Sequence, residues 1–107
     1  MTFKSFEELE VWKEARKFRS EISKSIKNFP KEEKYRLSDQ LIRSSRSISA
    51  NIAEGFVRYH HQENIQFCRI SRGSLMELLD DINTCIDETY FKQSYLEDPT
   101  PNLHTIN

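Results

Sequence analysis

The residues of this chain whose type and spacing could do chemistry are arginines. Arg36 and Arg43 are seven apart, Arg46 follows three later, and Arg69 and Arg72 form a second pair. Spacings of three and seven put side chains along one side of a helix. A guanidinium fork fits phosphate oxygens better than any other side chain does. Arg58, beside His60 and His61, bridges the two groups. Between Lys34 and Arg72 seven Lys/Arg face only Asp39, Glu54 and Glu63. A basic row of this kind predicts salt-sensitive contact with RNA or DNA. The competing reading is local pairing with those three acids. It gains weight from a pI of ≈ 6.3, well below that of a dedicated nucleic-acid binder.

The charge is unevenly placed. Residues 1–75 carry fifteen Lys/Arg against ten Asp/Glu, whereas residues 76–107 carry Lys92 against seven acids. Opposed ends suggest head-to-tail self-association or two separate binding faces.

Catalytic chemistry finds little support. His60-His61 is the only histidine pair, and neither Cys68 nor Cys85 stands at a zinc-ligand spacing from it. The two glycines, Gly55 and Gly73, build no phosphate-cradling loop, and no GxSxG turn occurs. Asp80-Asp81 are adjacent on a helix and read as solvated surface. The expectation is a non-enzyme with no catalytic residue, metal or cofactor. On one helix the cysteines would be about 25 Å apart, so free thiols and a cytoplasmic setting are expected. No apolar run approaches the ~20 residues that cross a bilayer, and Met1–Glu10 lacks a signal-peptide core.

Helices must position these residues, because so little Gly or Pro interrupts the body of the chain. Ser5 with Glu8 has the form of a capping box. After it, Phe6, Leu9, Trp12, Ala15, Phe18, Ile22, Ile26 and Phe29 recur at steps of three and four, predicting a helix over 6–28 that Pro30 ends. Leu37, Leu41, Ile48 and Ile52 predict a second over 31–54, with Pro30 at its start and Gly55 as its C-cap. Its many Ser and Ala residues invite close approach of a neighbour. Ile65, Leu75, Leu78, Ile82 and Ile86 predict a third over 61–88, in which Gly73 suggests a backbone contact. A short fourth over 89–97 would use Tyr90, Phe91, Tyr95 and Leu96. The domain is thus read as 1–97, with a disordered tail over 98–107. In the run Ser47, Ile48, Ser49, Ala50, Asn51, Ile52, Ala53, Glu54, Gly55, the polar Asn51 and Glu54 predict a hydrogen-bonded clasp between helices or subunits.

That run has company. Leu9-Glu10-Val11-Trp12 with Ala15, Phe29-Pro30 with Glu33, Leu37-Ser38-Asp39-Gln40-Leu41 with Arg43-Ser44, and Phe67 with Arg72-Gly73-Ser74-Leu75 and Glu77-Leu78 occur in one order over about residues 3–80. With SIxANIAEG among them, the chain resembles the bacterial four-helix-bundle proteins encoded in intervening sequences of 23S rRNA genes, the S23 family. The resemblance implies an all-α, antiparallel up-down four-helix bundle. It also implies a homopentameric ring without enzymatic activity. Relatives include accessory proteins of diversity-generating retroelements, which bind a reverse transcriptase and nucleic acid through basic residues. The departure is the fourth helix, which is short or missing here. The resulting expectation is a self-assembling helical protein with a basic surface for RNA. The alternative is a scaffold subunit that docks on a reverse transcriptase or another protein.

Overall fold

The computed structural model describes residues 4–57, 61–92 and 95. All of its regular structure is helical: α1 (Glu10–Ser25), α2 (Leu37–Val57) and α3 (His61–Asp87), with short 3₁₀ turns at Phe6–Glu8, Ile26–Asn28 and Lys31–Glu33. The hydrogen bonds between α2 and α3 fix their direction. Ser47 meets Ser74, the carbonyl of Ile48 accepts from Ser71, and the carbonyl of Gly55 accepts from Asn64. Numbers rise on one helix as they fall on the other, so the two run antiparallel. Arg19 on α1 reaches Ser49 on α2, and Ser23 and Ile26 share a groove with Ile42 and Ser38. That pair is antiparallel as well.

One core unites the three helices. Trp12, Ala15, Phe18 and Ile22 come from α1, Leu37, Leu41, Ile48 and Ile52 from α2, and Leu75, Leu78, Ile82 and Cys85 from α3. These are the positions that helical periodicity selects, since steps of three and four keep side chains on one stripe. Phe91 joins them from beyond α3. With Phe29, Tyr90 and Tyr95 it forms an aromatic lid on one end of the core, Phe91 stacking on Tyr95 at 4.1 Å and lying 5.3 Å from Phe29.

Several boundaries differ from those the sequence predicts. The Ser5–Glu8 capping box forms, but it caps the turn Phe6–Glu8. Leu9 then takes extended angles (φ −72°, ψ 128°) and α1 begins at Glu10. The stripe over 6–28 therefore belongs to three pieces that share one face. Helix two does not begin at 31. Lys31–Glu33 is a 3₁₀ turn, and α2 starts at Leu37. Gly55 is not its C-cap, because α2 continues to Val57. Gly55 instead serves packing: a Cβ there would sit 3.1 Å from the Cβ of Phe67 on α3. Gly73 shows the reverse, with nothing within 4 Å of an added Cβ, so it makes no backbone contact in this chain.

The predicted fourth helix is absent from the described residues. After α3 the chain turns at once, and Thr89 adopts φ 63°, a left-handed conformation that breaks helical propagation. Its aromatics close the core. Residues 93–94, 96–97 and the tail 98–107 lie outside the described residues.

Candidate nucleic-acid interface

α2 presents three surfaces, and the SIxANIAEG run supplies all of them. Ile48 and Ile52 point into the core. Toward α3, Asn51 donates to the carbonyl and hydroxyl of Ser47 (2.8 and 3.1 Å), and Ser47 shares a 2.8 Å hydrogen bond with Ser74. Ser71 adds a buried bond to the Ile48 carbonyl at 3.1 Å. Asn51 is thus part of a hydrogen-bonded seam between helices, where small side chains let hydroxyls stand in for methyls. Toward α1, Ser49, Ala50 and Ala53 leave an open groove of about 620 Å³. Small residues form it because larger ones at these positions would fill the space between α1 and α2.

Two guanidiniums enter that groove, Arg19 from α1 and Arg46 from α2. Arg19 is held in place twice. Its Nη1 donates to Ser49 Oγ at 2.6 Å, and its guanidinium carbon lies 5.8 Å from the Trp12 ring centroid. Arg16 covers the same ring at 5.6 Å, and Phe6 meets it edge-on at 5.1 Å. Cation–π contact and a hydroxyl acceptor together fix a side chain that otherwise has many rotamers. Among the described residues that line the groove there is no carboxylate. A second, shallower groove of about 320 Å³ lies further along the α1–α2 seam. Lys27, Lys31 and Lys34 rim it over Ile26, Phe29 and Ile42. The α1–α2 side of the molecule is therefore its basic side.

The arginines singled out from the sequence are exposed wherever they are described: Arg36, Arg43 and Arg46 at or on α2, Arg69 and Arg72 on α3. Arg58 lies outside the described residues. They do not form one cluster. Arg72 is two positions from Ser74, about 200° around the helix. Because Ser74 touches α2, the Arg69–Arg72 pair looks away from α2. Arg43 approaches Asp39 at 3.6 Å, but this pair is largely exposed and holds the arginine only weakly. Arg16 and Arg19 did not stand out from the sequence. The signal was present, since Trp12, Arg16 and Arg19 follow helical spacing, but nothing in α1 alone shows that Ser49 and Arg46 lie opposite.

Acidic groups gather near the end of the core that the aromatic lid closes. Asp81, expected on the surface beside Asp80, is buried at 8% exposure, and its Oδ2 has no hydrogen-bond partner among the described residues. Burial foremost, then the charges of Glu77 and Asp80, raises its pKa. Burial, assisted by Asp81 and Glu33, pushes the Cys85 thiol up to about 12. Tyr90 donates to Glu33 at 2.9 Å, and that bond, more than burial or neighbouring acids, raises the phenol's pKa. Cys68 is exposed, and both cysteines are free.

These features define a small all-helical protein with a hydrogen-bonded seam between α2 and α3 and a groove lined by two guanidiniums. Among the described residues no His, Cys, Asp and Glu grouping suits a metal, and no helix is long and apolar enough to cross a membrane. Over residues 7–107 the sequence matches the family described as 23S rRNA-intervening sequence protein, and the chain belongs to that family. No curated protein gives a significant match.

Proposed function

We propose that this chain is a non-catalytic helical protein that assembles with copies of itself and offers its α1–α2 side to RNA. The observation that carries the reading is the gathering of exposed or half-buried cations there: Arg19 and Arg46 in one groove and Lys27, Lys31 and Lys34 around another, with Arg36 and Arg43 exposed at or on α2. The family description, which refers to intervening sequences of 23S rRNA, agrees with an RNA setting. Self-assembly is supported by Ile70, Gly73 and Met76, an exposed ridge on α3 at spacings of three. A second copy laid on that outward-facing ridge would cover apolar surface; the antiparallel four-helix bundle is the architecture that the family resemblance implies. The same reading has the protein acting in the cytoplasm, a compartment that keeps thiols such as Cys68 and Cys85 reduced.

Filter binding of structured RNA across a salt series tests the RNA half. Affinity should fall with salt. Replacing Arg36, Arg43 and Arg46 with Gln should lower the log–log slope by about two to three, at ~0.7–0.9 per lost phosphate contact in single-stranded or paired stretches. Affinity that ignores salt, or none at low salt, refutes it. Light scattering behind size exclusion tests assembly, and a monomer at all concentrations refutes that half.

A further inference from the structure

We infer that the groove between Arg19 and Arg46 is a subsite for one nucleotide of single-stranded RNA, taking the phosphate on the guanidiniums and the base against the guanidinium face and Phe6. The inference rests on the RNA-binding reading and assigns it a specific site. Four observations lead to it. The groove's volume, about 620 Å³, lies within the range of small-ligand sites and leaves room for a nucleotide. Its lining has two guanidiniums and no carboxylate among the described residues, so an anion is the complementary charge. Arg19 is pre-positioned: Trp12 and Ser49 hold the group, Ser49 takes a donor from only one of its nitrogens, and the remaining N–H groups stay available. Ser49 is itself fixed, since its hydroxyl donates to the Arg46 carbonyl at 3.2 Å. Finally, Phe6 and the alanines give the groove an apolar wall beside its charges, the combination that suits an unstacked base joined to a phosphate.

Single-stranded RNA is favoured over duplex because the apolar wall has a use only when a base is free to turn into it. A duplex presents phosphates to the arginines and nothing to Phe6.

Trp12 is the chain's single tryptophan and lines this groove, so its fluorescence responds to what binds there. Titrating the full chain with a single-stranded oligouridylate should quench Trp12 to saturation. In Arg46→Gln, an exposed substitution whose folding circular dichroism can verify, the oligouridylate concentration that gives half the quench should rise by roughly tenfold or more, the value of a lost charge-assisted bond. In the Arg36→Gln/Arg43→Gln variant the affinity should drop while the saturated quench persists. Oligouridylate retained on filters with Trp12 emission unchanged overturns this subsite but leaves the RNA-binding reading intact. Absence of any RNA retention overturns both. Equal quenching by double-stranded RNA, or by polyglutamate in place of RNA, also overturns it, because the groove would then be reading charge without a base.

Discussion

The two glycines make opposite predictions from one substitution. Alanine in place of glycine within a helix gains about 1 kcal/mol of stability when nothing opposes the methyl group. At Gly73 nothing within the chain itself lies within 4 Å, so in chains dilute enough that no copy covers this ridge, Gly73→Ala should be more stable by about 1 kcal/mol, a rise in Tm of about 4–8 °C for a domain of this size. At Gly55 the new Cβ would stand 3.1 Å from Phe67 Cβ and 3.4 Å from Asn64 Nδ2. A Cβ cannot rotate away from its own backbone, so α3 must shift. Overpacking of this kind costs about 1–3 kcal/mol. The shift also endangers the 2.9 Å bond from Asn64 to the Gly55 carbonyl, a loss of about 1 kcal/mol. Set against the same intrinsic gain, Gly55→Ala should be less stable by about 1–3 kcal/mol, leaving the variants 2–4 kcal/mol apart. Urea denaturation followed by far-UV circular dichroism measures both, with the slope checked for constancy. Equal stabilisation by the two substitutions would refute the close α2–α3 approach. A destabilised Gly73→Ala would show that its face is covered in solution.

Four further outcomes follow from the geometry. Asp81→Asn should stabilise the protein at neutral pH. A carboxyl whose pKa is raised by folding is penalised only where it ionises. That penalty is absent below its ordinary value of 3.8 and appears as the pH rises through the folded value, so the wild type should lose stability over that range and the variant should not. Glu33→Gln should return the Tyr90 phenol toward its usual pKa, read by ultraviolet titration, since the hydrogen bond to Glu33 is the main cause of its shift. Ellman's reagent should modify Cys68 in the folded protein and reach Cys85 only on unfolding; rapid modification of both would contradict the core described. A Ser47→Ala/Ser74→Ala double-mutant cycle should give a coupling of about 1 kcal/mol.

Periodicity made most of the core legible. Trp12, Phe18, Ile22, Leu41, Ile48, Leu75 and Ile82 recur at helical spacing and are buried, because an apolar stripe has nowhere else to go. Boundaries were less legible. The stripe from Phe6 to Phe29 runs unbroken across the kink at Leu9 and the turn at Ile26–Asn28, since 3₁₀ turns at helix ends keep roughly the same face toward the core. Gly55 looked like a cap because glycine often ends helices, yet the close approach of Phe67 accounts for it. The aromatics after Asp87 read as a short amphipathic helix, but their partner is Phe29 on a distant loop. Sequence spacing on one segment does not reveal such a partner. The arginine row shows the same limit. Spacing groups Arg69 with Arg72 and Arg36 with Arg43, but only tertiary structure turns the pairs apart and brings Arg19 across to Arg46.

The aromatic lid affects how the polypeptide is made. Phe29 is made before Tyr90 and Phe91, so it lacks these ring neighbours until that later segment has left the ribosome. A half-finished chain therefore presents Leu37, Leu41 and Ile48 to its surroundings with no stopper at that end. Closure waits for the segment that carries Phe91, so Phe91→Ala should lower the yield of folded product in the cell.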